Sequence, residues 1–226
     1  MSVAVEICVV GVPSAVAAAE GGADRVELCE YLEVGGVTPS AGAIQLACER
    51  LAIPVQVLIR PRPGDFVYSL IEMDVMARDI AIAKSLGAAA VVLGVLDSRG
   101  AIDVDRTAKL VELARPMSVT FHKAFDECKD PKAALESLCQ IGVDRVLTSG
   151  QSPSAREGMD ILRRLNEQAA GRLAVMAGGR IAEADIRPFI GAGLREIHIG
   201  SHVCDENRTS ALKVRRLVEL ARLLGT

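Results

Sequence analysis

Four short segments, GADRVEL at Gly22, GAAAVVL at Gly87, GVDRVLT at Gly142 and GLREIHI at Gly193, each run from a glycine directly into an apolar stretch. Each reads as a helix C-cap feeding an inner strand. Eight strands are expected in all, near Ala4–Val9, Arg25–Cys29, Val55–Ile59, Ala90–Gly94, Ser118–Phe121, Arg145–Thr148, Leu173–Met176 and Glu196–Ile199. Between them, DVDRTAKLVELAR, DPKAALESLCQIG and SAREGMDILRRLNEQAAG carry apolar residues at three- and four-residue spacing and supply helices. The four glycine segments precede the second, fourth, sixth and eighth strands. The duplicated unit is therefore two βα modules, and four such units close a ring. The expected fold class is α/β, a single (β/α)8 TIM barrel occupying residues 1–226 as one domain.

Strand alternation then assigns the side chains that point into the ring. Val5, Ile7 and Val9 face the helices while Glu6 and Cys8 face inward, and Val26 and Leu28 likewise leave Glu27 and Cys29 inside. Gln56 and Arg60 oppose Val55, Val57 and Ile59. Ser118, Thr120 and His122 oppose Val119 and Phe121, and Glu196 and His198 oppose Ile197 and Ile199. An interior with so many charged groups is costly unless they pair or meet a ligand. Many of them lie toward the C-terminal ends of their strands, where barrels of this kind carry their sites. Two readings are open: a structural ion-pair layer with Arg60 held by Glu27, or a site.

Composition narrows the function. With 26 Lys plus Arg against 29 Asp plus Glu, the net charge of −3 gives no broad reason to bind nucleic acid or an anionic membrane. The N-terminal run MSVAVEICVVGVPSAV lacks a basic leader region and is broken by Glu6 and Pro13, so neither a signal peptide nor a membrane span is expected. Six dispersed cysteines without a CxxC pair read as reduced thiols of a cytoplasmic protein.

Several motifs bear on chemistry. RPRPGDFVYS, Arg60 to Ser69, brings two cations, a carboxylate and two rings into one loop; Arg60 and Arg62 can grip a carboxylate or phosphate, with Asp65 orienting one of them. The loops TSGQ, MAGGR and IGSH place Ser149, Gly150, Gly178, Gly179, Gly200 and Ser201 after the last three strands, where backbone N–H groups can approach an anion. Cys8 and Cys29 end neighbouring strands and can together hold a soft ion such as Cu(I), or can serve as small core hydrophobes. In FHKAFD, His122 is the central mouth residue. Phe121 and Phe125 support it, Lys123 leans toward an anion, and Asp126 either orients His122 or caps the helix entered at Asp130.

The strings VEIC, GADRVELCEYLEVGGVTPS, IRPRPGDFVYS, VTFHKAFD, DRVLTSGQ, MAGGR and EIH resemble the CutC family, named for copper homeostasis, from about Val3 to Ser201. The resemblance implies a cytoplasmic (β/α)8 barrel linked to copper, and places the family's shared mouth residues on Glu6, Cys8, Glu27, Cys29, Arg60, Arg62, Asp65, His122, Asp126 and His198. It implies no established reaction. Lys123 stands where the family usually has Arg, Val67 where many members have Cys, and Arg180 with Ile199 alters the last two glycine loops.

Three functions remain open on the sequence. The first is copper homeostasis, with Cys8 and Cys29 binding Cu(I) near His122 or His198. The second is an enzyme for a small anionic or phosphorylated metabolite, in which Arg60 and the glycine loops hold the anion, His122 and Glu27 trade a proton, and His198 assists. The third is a structural or regulatory barrel. The expected partners are a copper ion or a small anionic metabolite, with no organic cofactor, no nucleic acid and no membrane; a homo-oligomer is left open.

Overall fold

The computed structural model describes residues 3–206 and 208–225. Eight parallel strands close into a barrel in sequence order: β1 (Ala4–Val10), β2 (Arg25–Cys29), β3 (Val55–Leu58), β4 (Ala90–Leu93), β5 (Ser118–Phe121), β6 (Arg145–Thr148), β7 (Ala174–Gly178) and β8 (Glu196–Ile199). The α/β barrel expected from the sequence is the fold observed. Helices α1 (Gly11–Glu20), α2 (Ala41–Arg50), α3 (Leu70–Ser85), α4 (Val104–Ala114), α5 (Pro131–Gln140), α6 (Met159–Ala169), α7 (Glu183–Gly191) and α8 (Ala211–Leu224) surround it. An antiparallel pair, β9 (Cys204–Asp205) with β10 (Arg208–Thr209), sits between β8 and α8 and was not anticipated; two-residue strands leave no periodic signature. None of the described helices is long and apolar enough to cross a membrane.

The four repeat glycines do the same work. Gly22, Gly87, Gly142 and Gly193 have φ between +74° and +87°, a region closed to most residues with a Cβ. At each, the following residue's N–H returns to a carbonyl five residues back: Ala23 to Ala18, Ala88 to Ala83, Val143 to Leu138, Leu194 to Phe189. This is the Schellman closure of a helix, and it aims the chain into the next strand. Elsewhere, Asp103 and Asp130 cap α4 and α5, and Ser69 with Glu72 forms a capping box on α3. Helix α6 begins at Met159 rather than at Ser154, because Gly158 lies against the backbone of Ser149 and Gly150.

The alternation holds in three dimensions. Val5, Ile7, Val9, Val26, Leu28, Val91, Val119 and Phe121 belong to the main core under the helices, while Cys8, Cys29, Leu58 and Val92 form a separate small cluster inside the ring.

Candidate functional site

The barrel interior is polar in layers. Deepest lies an ion network: Glu6, fully buried, accepts from Arg25 Nε at 2.7 Å and from Gln56, and it meets His198 Nδ1 at 2.6 Å. Arg25 also reaches Glu196, which Arg145 grips with both Nε and Nη2. Arg25 and Arg145 open their strands two residues below inward-facing positions, so alternation alone would have placed them here. The interior carboxylates do pair, but with these two arginines rather than with Arg60. Burial pushes Glu6 up, yet the hydrogen bond and charge of His198, with Arg25, outweigh it and hold the carboxyl at about 2. For His198 burial favours the neutral ring, but the charges of Glu27 and Glu6 prevail and hold it above its ordinary value.

Above this layer stand Cys8, Glu27 and His198, the described Cys, His, Asp and Glu side chains close enough to share one ion; their donor atoms lie within 4.8 Å of one another. His198 Nε2 is 3.7 Å from Glu27 Oε2, and Cys8 Sγ is 3.8 Å from Cys29 Sγ. The hydrogen bond with Cys29, then burial and the charge of Glu27, keep the Cys8 thiol well above its usual pKa. Burial also raises Glu27, against the pull of His198. These groups line a cavity of about 370 Å³ together with Arg60, His122, Phe66 and apolar Leu32, Leu58 and Leu147.

His122 sits at the end of β5 with Nδ1 accepting from the Ala124 N–H at 3.1 Å, which assigns the ring proton to Nε2. Burial, and then the charge of Arg60, lower its pKa to about 3, so it is a neutral hydrogen-bond donor. This corrects the expectation that His122 trades a proton with Glu27; the imidazole beside Glu27 is His198. Phe66 packs on His122 at 4.8 Å between ring centroids and Phe121 meets it edge-on at 6.0 Å. The ring also rests on Gly94, where a Cβ would come within 2.5 Å of Cε1 and Nδ1. Gly94→Ala should lower stability by about 1–3 kcal/mol, the usual cost of overpacking. An unchanged urea midpoint would show that the imidazole is free to move.

Arg60 does not meet Glu27. Its terminal nitrogens donate to the carbonyls of Val34, Gly36 and Gly64, its Nε–H has no partner, and its guanidinium lies 4.9 Å from the Phe66 ring centre. Arg62, expected to bind an anion, gives its donors to Glu72, to Asp65 Oδ1 and to the carbonyls of Pro63, Asp65 and Val67. A guanidinium has five N–H groups, so none remains for a ligand.

The glycine loops differ among themselves. Asp126 neither orients His122 nor caps α5. It accepts from the Ser149 and Gln151 N–H groups and from Thr148 Oγ1, with Ser149 Oγ at 3.0 Å, while the Gly150 N–H goes to Thr148 Oγ1. The anion expected at Ser149 and Gly150 is thus the chain's own carboxylate. Gly178 is glycine for packing, because a Cβ there would lie 2.4 Å from Leu147. Gly179, Gly200 and Ser201 do open on the mouth, in a second cavity of about 390 Å³ that shares Cys8, Lys123 and His198 with the first. Lys123 Nζ lies 3.6 Å from Asp126.

Residues 3–203 match the family model described as "CutC family". The chain is 47% identical over 211 residues to the copper homeostasis protein cutC homolog of Homo sapiens, covering 93% of this chain and 76% of that protein. It is 48% identical over 212 residues to a family protein CutC of Chromobacterium violaceum, covering 93% and 85%. Among solved structures, the putative copper homeostasis protein CutC of Streptococcus agalactiae superposes with a TM-score of 0.84 at 32% identity, over 89% of this chain and all of that one.

Proposed function

The chain belongs to the CutC family, and we propose that it serves copper homeostasis by binding one Cu(I) at the barrel mouth through Cys8, with Cys29, His198 and Glu27 completing the donor set. The supporting observation is the 3.8 Å separation of the two sulfurs beside an imidazole. Two thiolates each about 2.3 Å from a tetrahedral ion stand about 3.8 Å apart, and sulfur with imidazole nitrogen suits a soft ion. Glu6 acts behind this set: its bond to His198 Nδ1 fixes the ring and turns Nε2 toward Cys8 and Glu27, as outer carboxylates do for metal-bound histidines. Cys8 and His198 must give up protons to bind a metal, so binding releases protons. A reducing cytoplasm keeps such thiols available.

Competition titration against a Cu(I) chelator tests this. Cys8→Ser with Cys29→Ser should lose more than the roughly 10–100-fold typical of removing an outer partner. Unchanged affinity in the double variant would sink the proposal and leave both thiols as core residues.

A different observation favours a second activity for the same mouth. Arg60 and His122 present buried N–H groups without acceptors at a cavity that also holds Glu27 and His198. That supports an enzyme acting by acid–base chemistry on a small anionic metabolite. Thiols are indispensable to copper binding and not to this reaction, so the double cysteine variant separates the two.

A further inference from the structure

Two donors on one wall of the mouth lack partners. Arg60 is permanently charged and buried; its described hydrogen bonds go to backbone carbonyls, and its Nε–H meets nothing. His122 uses Nδ1 as an acceptor, so its single proton is on Nε2, and that N–H also meets nothing. The two residues come from the ends of different strands, line the same cavity, and share one cover, the Phe66 ring. Buried N–H groups are nearly always paired. Two orphans converging on one cavity point to an acceptor that comes from outside the chain.

We infer that Arg60 and His122 form the donor half of a site for a small organic acid, whose carboxylate or enolate oxygen accepts from both Nε–H and Nε2–H. The inference rests on the second activity proposed above and gives it a ligand class. The rest of the wall limits that ligand further. Leu58, Leu147 and Phe66 suit a short carbon skeleton, and the volume is near the small end for small-molecule pockets. A neutral imidazole in this place donates without surrendering its proton, so it steadies developing negative charge on oxygen. Proton transfer then falls to the opposite wall, where Glu27 and His198 stand together.

Oxalate is a suitable probe, being planar, acidic and close to an enediolate in shape. It would be titrated into the metal-free, full-length protein labelled with 15N-histidine. The His122 Nε2–H resonance should move downfield and become protected from exchange. Affinity should fall roughly tenfold or more in His122→Phe, the loss expected for one hydrogen bond to a charged group. It should not change in Cys8→Ser with Cys29→Ser. The spectrum of the unaltered protein keeps the test independent of whether His122→Phe folds. If oxalate binds while the His122 resonance stays still and the variant binds as well, the assignment of these donors is overturned but the small-anion enzyme reading stands. If oxalate does not bind at all, both are overturned.

Discussion

Glu6→Gln should unfold at a markedly lower urea concentration than the unaltered protein, with a loss of about 3–5 kcal/mol, the usual result of removing one partner from a buried ion network. Glu6 is fully buried and joins Arg25, Gln56 and His198. An amide of the same shape leaves Arg25 with Glu196 alone and sets an uncharged oxygen or an N–H against His198. Acid should reveal the same energy. A carboxyl held at about 2 against an ordinary 4.5 contributes stability that is complete above pH 4.5 and disappears as pH falls through 2. At about 1.4 kcal/mol per unit this is on the order of 3 kcal/mol. The slope of stability with pH in that window should be smaller in the variant by this amount; equal slopes would show that Glu6 is not held as described.

Asp126→Ala should cost about 3 kcal/mol or more, because it strands the buried N–H groups of Ser149 and Gln151 and the Thr148 hydroxyl. The loop has little else to hold it. Gly150 and Gln151 both have positive φ, +68° and +56°, and Gln151 is not a glycine. Asp126→Asn keeps one acceptor oxygen and should lose about half as much. Hydrogen exchange locates the effect: the amides of residues 149 to 151 should lose protection in Asp126→Ala before those of β6 do. Intact protection with wild-type stability would mean that the loop is fixed from elsewhere.

Much of this architecture could be read from the chain because it depends on local rules. The glycine repeats required left-handed caps, and strand alternation set Glu6, Glu27 and His198 inward before any coordinates were known. What escaped had other causes. Arg25 and Arg145 begin their strands, and a strand's first residue is easily taken for a loop cation. Asp126 sits in a turn and binds a loop 22 to 25 residues away, a contact with no sequence period. The tautomer of His122 depends on a backbone N–H two residues on, and the partners of Arg60 are carbonyls, which every residue has. Side-chain identity says nothing about such partners.

The deep ion network also has a bearing on time. Its links join the two ends of the chain: Glu6 and His198 are 192 residues apart, and Arg25 and Glu196 are 171. Neighbouring βα units can assemble without them, whereas these bonds form only when the last strand docks beside the first and the long loop is closed. Interactions that arrive after the rate-limiting barrier act on escape from the native state and barely on its formation. The charges at this seam therefore serve as a latch, setting how seldom the finished ring reopens rather than how fast it is made.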